Sequence, residues 1–237
     1  MSPFNHERSE RASAGPRSAF VAIVGKDLRT ELRTREVLAT TIVFPLLILF
    51  VFRVSFEVGD EAAMRAAAPG VVWASALFAS ILSLTRSFAS EKEDDRILGL
   101  LLSPVDRGTI YLAKLTANYA FLLLVEAVTL VAFAFFFNVD LVPGLATLLP
   151  AVALGTLGIG AVGTIFSAMA VNTRAREALL PLLLFPVLTP VLFAVLEHTR
   201  RAMLGESGSS NWLGMLVAFD VIFTTAGWLL FEHVVAE

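Results

Sequence analysis

The chain has 237 residues, 57% of them apolar and 16% charged, with a mean hydropathy of +0.77; an ordinary soluble domain carries about 25% charged residues. That composition excludes a water-soluble globular domain. The 18 Lys and Arg against 21 Asp and Glu leave a net charge of −3, which lacks the electrostatic footprint of a nucleic-acid binder. The absence of cysteine excludes a disulfide framework, a thiolate nucleophile, a Cys-ligated zinc and a cysteine-attached haem.

Residues 1–18 mix Ser, Arg, Glu, Gly and Pro without apolar period, the composition of a disordered cytoplasmic tail. From Ala19 the pattern changes: Phe20, Val24, Leu28 and Leu32 recur every four residues with Ile23 beside them, and Lys26, Asp27, Arg29, Arg33 and Arg35 take the other face. This spacing predicts an amphipathic helix over 19–36 lying in the membrane interface, its basic residues near anionic head groups. An alternative is a cytosolic helix docked on a soluble partner.

A hydrocarbon core of roughly 30 Å needs about 20 apolar residues in a helix. Windows of that kind run over residues 37–54, 66–85, 115–137, 145–171, 178–196 and 212–231. The first begins only at Val37 and lacks the short apolar region and small-residue cleavage site of a signal peptide, so it is expected to be a span. Lipid offers no partner to backbone N–H and C=O groups, so each span must close its own hydrogen bonds as a helix. The expected fold is therefore all-α, a single polytopic membrane domain over 19–237 with six transmembrane helices. Fourteen of the 18 basic residues fall before the first window, in the loop 86–114, or at Arg174 and Arg176; Arg53, Arg65, Arg200 and Arg201 fall on the other side. That asymmetry puts both termini and loops two and four in the cytoplasm.

The loop 86–114 is the largest cytoplasmic one. Glu91, Glu93, Asp94 and Asp95 crowd the start of an expected short helix, where negative charge suits the macrodipole. Ile97, Leu98, Leu100, Leu101 and Leu102 follow, and Ser103 and Pro104 end it. Leucines on a cytoplasmic loop need a cover, either the protein's own bundle or a docked partner.

The fourth span carries Gly155, Gly158, Gly160 and Gly163, with Thr156, Gly160, Thr164 and Ala168 four apart on one stripe that admits a close neighbouring helix. The fifth carries Pro181, Pro186 and Pro190. Each removes a backbone donor and kinks a helix, and the freed carbonyls need neighbours, water or hydroxyls such as Thr189; a broken helix of this kind lines a cavity or turns back as a hairpin, though membrane helices also tolerate proline. Glu126 and Asp220 lie at membrane depth, and intramembrane carboxylates are functional candidates by default; hydrogen bonds to Thr129, Asn118, Thr224 or Thr225 are the structural alternative. They share a proton only if adjacent. His6, His198 and His233 form no ligand cluster, and no metal site is expected. His198, placed beyond the fifth span beside Glu197, Arg200 and Arg201, is a surface position. Tyr111, Tyr119 and the three tryptophans read as interfacial anchors or packing.

No phosphate loop, H-E-x-x-H, G-x-S-x-G or G-x-G-x-x-G occurs. Any work that costs energy must draw on ATP handled by another chain.

Taken together, the acidic stretch, the leucines and the Ser-Pro turn followed by Lys114 resemble the membrane subunits of ABC exporters of the ABC-2 type. Within that superfamily the sequence is most similar to the CcmB family, the haem exporter permease of cytochrome c maturation. The resemblance rests on A-P-G-V-V-W-A-S-A-L (Ala68 to Leu77), L-L-S-P (Leu101 to Pro104), Y-L-A-K (Tyr111 to Lys114), L-G-T-L-G (Leu154 to Gly158) and L-P-L-L-L-F-P-V-L-T-P-V-L (Leu180 to Leu192), in that order. It covers residues 20–196; the basic tail extends beyond the family pattern.

The resemblance implies a non-catalytic permease in the bacterial inner membrane that forms a homodimer and docks a cytosolic ABC ATPase subunit. A haem-handling membrane protein with a tryptophan-rich motif and a small one-span protein complete the implied complex. No firmly bound cofactor is implied, haem being the transported or handled species and ATP belonging to the partner. The implied docking element, a coupling helix, runs from Glu91 to Pro104, and the interfacial helix from Phe20 to Arg35. Alternatives are a generic ABC-2 exporter of lipid, drug or polysaccharide, an intramembrane enzyme using Glu126 and Asp220 as acid and base, and a passive scaffold.

Overall fold

The computed structural model describes residues 16–56, 61–93, 105–170, 176–204 and 211–235. These form helices α1 (Pro16–Arg33), α2 (Arg35–Ser55), α3 (Glu61–Glu93), α4 (Arg107–Phe137), α5 (Leu145–Ala170), α6 (Arg176–Leu204) and α7 (Asn211–Val235), with a 3-10 turn at Val142–Gly144. Six of them, α2 to α7, are long and apolar enough to cross a membrane. The expected disordered tail falls, except for its last three residues, outside the described residues. Asp94, Asp95, Leu98, Leu100, Leu101, Ser103 and Pro104 also lie outside them.

Several helices run past the predicted windows. Between Gly70 and Glu93 no glycine or proline interrupts α3, so its good helix formers carry it beyond the apolar stretch. Its 33 residues make roughly 50 Å of helix, longer than the hydrocarbon core. Glu91 and Glu93 therefore close α3, correcting the expectation that they open a separate short helix. At the other edge of the loop, α4 starts at Arg107, where the Asp106 side chain accepts the Thr109 N–H at 3.1 Å as an N-cap. Tyr111 to Lys114 are thus helical. At its far end α4 stops at Asn138, in the left-handed region at φ 50° and ψ 44°, where asparagine is the usual substitute for glycine.

Proline does not break α6, which is continuous through Pro181, Pro186 and Pro190, so the hairpin reading is set aside. The Thr189 hydroxyl donates to the Phe185 carbonyl at 2.9 Å, its own i−4 carbonyl, rather than to one freed by a proline. The helix also continues to Leu204, which places His198, Arg200 and Arg201 on α6 and not in a loop.

The bundle is organised around α5, which packs against α3, α4, α6 and α7. Its small residues make this possible. A Cβ at Gly155 would stand 2.5 Å from the Trp73 ring and 2.6 Å from Val195; one at Gly158 would stand 2.9 Å from the Asp220 carboxylate; one at Gly163 would collide with Leu84. Around these contacts lies the main core, with Trp73, Leu84, Ile159, Leu184, Leu188 and Val191 among its buried members.

The first helix differs from the expected one in where it ends and in what covers part of its apolar side. It ends at Arg33, and Thr34, at φ −81° and ψ 90°, turns the chain into α2. Part of its apolar side is covered by the protein itself: Ile23 packs on the cluster around Ile110, Tyr111 and Leu115, and Leu28 on the one around Phe121 and Val125, whereas Leu32 stays 48% exposed. Ile23 and Leu28, which sequence alone assigns to lipid or to a soluble partner, are instead matched to α4.

Replacing Gly155 or Gly163 with leucine forces these interfaces apart and is expected to cost about 2–3 kcal/mol. Gly25, whose Cβ would meet nothing within 4 Å, should accept alanine with a small gain in helix stability. Thermal unfolding of the purified protein in detergent checks the contrast.

Candidate functional site

The residues flanking the loop 86–114 form a braced root at one end of the bundle. Tyr111 is fully buried, donates its hydroxyl to the Ala161 carbonyl at 3.1 Å, and packs its ring against Phe231 with centroids 5.7 Å apart. The Gly227 backbone of α7 approaches the same ring so closely that a Cβ there would clash, and Gly108 stands in the same relation to Trp228. Arg107 donates to the Glu232 carbonyl at 3.1 Å. The first two turns of α4 are thereby clamped to α5 and α7.

One turn after Tyr111, Lys114 is 2% exposed and pairs with Asp27 of α1 at 3.2 Å. Asp27 also meets Lys26 at 3.1 Å. Nearby, Arg86 of α3 donates to the Thr40 hydroxyl of α2 at 3.0 Å. Glu31 completes the group. Burial, reinforced by the Asp27 charge and opposed by Lys114 and Arg86, pushes its carboxyl from 4.5 up to about 7. Four helices, α1 to α4, thus meet at a polar joint. Sequence reasoning missed this joint because it placed Asp27 on a solvent face; the signal lay in Lys114, a lysine between Leu112 and Leu115 in an otherwise apolar stretch.

Deeper in the bundle, Glu126 accepts a hydrogen bond from the Thr156 hydroxyl of α5, and Asn118 donates to Thr164 at 3.1 Å. The Thr156 and Thr164 stripe therefore faces α4. A cavity of about 10 Å³ beside Glu126 is lined by Trp73, Ala76, Thr129 and Val152, no larger than the space of a single water. Asp220 is 4% exposed, faces Gly158, and has no hydrogen-bond partner among the described residues; Thr129 bonds its own helix at Val125 rather than Glu126. Thr156 and Gly158 are two residues apart, on opposite faces of α5. Glu126 accordingly meets one face of α5 and Asp220 the opposite face.

At the opposite end, His198 is buried and donates to the Thr147 carbonyl at 2.9 Å. The indole of Trp73 donates to Thr199 at 2.9 Å, and Glu197 accepts from Arg200 and Arg201 at 2.8–2.9 Å. The surface position expected for His198 is corrected: it clasps α6 to α5.

The family model described as "CcmB protein" matches residues 18–234. A protein named heme exporter protein B from Pseudomonas aeruginosa is 30% identical over 212 residues, covering 87% of this chain and 93% of its own. Its namesake from Rhodobacter capsulatus is 30% identical over 188 residues, covering 78% and 84%. A third, from Bradyrhizobium diazoefficiens, is 26% identical over 211 residues, covering 89% and 94%.

Replacing Lys114 with alanine takes from Asp27 its buried partner, leaving Lys26, and is expected to cost roughly 2 kcal/mol; adding Asp27→Asn should recover much of the loss, as a double-mutant cycle in denaturant would measure. The raised Glu31 group binds its proton more tightly in the folded state. Its stabilising contribution is complete below pH 4.5 and is lost as pH rises to about 7. Glu31→Gln should flatten the stability profile across that window.

Proposed function

The chain belongs to the CcmB family, and from that premise we propose that it is the permease subunit of a haem exporter, coupling ATP hydrolysis by a partner chain to haem export or to release of a haem-loaded chaperone. It is a multi-pass membrane protein, and its relatives carry the name of a transport component rather than a catalyst. The setting of the loop 86–114 between braced helix ends is the observation that supports the coupling role most directly. A segment that receives a push from a soluble ATPase transmits it only if its root does not yield. Here Lys114, Tyr111 and Arg107 tie that root to α1, α5 and α7.

In this reading Glu91 and Glu93, with Asp94 and Asp95, meet the ATPase surface, and Leu98, Leu100 and Leu101 insert into a groove on it. Ser103 and Pro104 set the exit toward α4. The protein acts as a homodimer in the bacterial inner membrane, with both termini cytoplasmic, beside a haem-handling membrane protein and a one-span protein. Haem is cargo, and ATP stays in the partner. Glu126 and Asp220 tune the helix interfaces that move, and Gly155, Gly158, Gly160 and Gly163 let them slide in close contact.

Leu100→Glu or Leu101→Glu should abolish copurification with the ATPase while leaving membrane insertion intact; normal copurification refutes the docking role. Deleting the gene should remove c-type cytochromes, whereas a generic lipid, drug or polysaccharide exporter would leave them at normal levels.

A further inference from the structure

With part of its apolar side against α4, α1 presents a second face outward. Val21, Ala22, Gly25, Lys26, Arg29 and Arg33 line an open depression along it. Three- and four-residue steps put these positions on one side of the helix, and Ala22 and Gly25 make the dent because they carry almost no side chain. Arg29 and Arg33, one turn apart, have no carboxylate partner among the described residues. The acidic groups of α1 are engaged elsewhere, Asp27 with Lys114 and Lys26, and Glu31 beside Asp27, Lys114 and Arg86.

We propose that this face binds the phosphate of an anionic phospholipid, with Arg29 and Arg33 as its charged partners and the dent over Ala22 and Gly25 receiving the glycerol end. Height in the bundle points to lipid. Ile23 packs at the level of Ile110 and Leu115, and Leu28 at that of Phe121, alongside Leu38 and Ile42 of α2. From Arg33 the chain turns at Thr34 into α2, and the first apolar span opens at Leu38. The guanidinium pair therefore lies just ahead of that span, on the side where a helix leaves hydrocarbon for the head groups. Mixed chemistry points the same way: Val21 is 67% exposed and Leu32 48% exposed on the side that carries the arginines. Such a surface matches an amphiphile better than a free anion or a hydrophilic acidic protein. This inference is independent of the permease reading.

Because the chain has no cysteine, Ala22→Cys creates a unique thiol for a nitroxide label on the full-length protein. In vesicles of phosphatidylcholine the label should be mobile, and adding phosphatidylglycerol should immobilise it. Native mass spectrometry in detergent should find phosphatidylglycerol retained by the unsubstituted protein. Retention should fall about tenfold in Arg29→Gln/Arg33→Gln and return in Arg29→Lys/Arg33→Lys. Gly25→Leu, which has open space at its Cβ, should lower retention without altering charge. Equal retention in the glutamine pair overturns the proposal. So does immobilisation by inorganic phosphate alone, which makes the ligand a free anion, or by the ATPase partner in place of lipid, which makes it a protein.

Discussion

Close approach of helix backbones around α5 is the constraint on which the remaining packing depends. Between helices in a bilayer the lipid tails are as apolar as leucine, so association rests on van der Waals contact and polar links rather than on exclusion of water. Gly155, Gly158 and Gly163 leave room on α5 for Trp73 of α3, Asp220 of α7 and Leu84 of α3 respectively. Once Trp73 is seated against Gly155, its indole reaches Thr199 of α6. One small residue thereby aligns three helices. A larger side chain at any of these points would separate the elements that carry both ends of the bundle.

Polar contacts between helices hold both ends of the bundle. One end is held by Tyr111 on the Ala161 carbonyl and by Lys114 on Asp27, the other by His198 on the Thr147 carbonyl and by the Trp73–Thr199 link. Between them sit Asp220 and one oxygen of Glu126 without hydrogen-bond partners among the described residues. Buried polar groups in low dielectric are expensive unless satisfied, and Thr41, Ser83 and Ser167, toward the first end, also lack hydrogen-bond partners among the described residues.

The first helix illustrates how a polar pattern changes meaning when a partner surface arrives. Asp27 belongs to the hydrophilic side of α1 by spacing, yet it is drawn inward because Lys114, buried in α4, needs a counter-charge. The same rotation moves Ile23 and Leu28 from a lipid-facing role to the α4 interface and leaves Arg29 and Arg33 outward. Charge pairing across two elements, not the amphipathicity of one, sets the rotation of this helix.

Hydropathy alone determined that the chain crosses a membrane six times, because every backbone group in hydrocarbon must be satisfied within its own helix and that requirement is local. The order of the short motifs likewise pointed to the family. Helix ends were not legible from hydropathy: α3, α4 and α6 ran past the apolar stretch, α4 as far as its caps at Asp106 and Asn138, since hydropathy marks where lipid stops and not where hydrogen bonding stops. The Lys114–Asp27 pair, the seat of Trp73 on Gly155, the inward clasp of His198 and the meeting of Glu126 and Asp220 with opposite faces of α5 were decided by tertiary structure. Each joins residues on different helices, and their meeting depends on helix rotation and packing distance, which no single segment encodes.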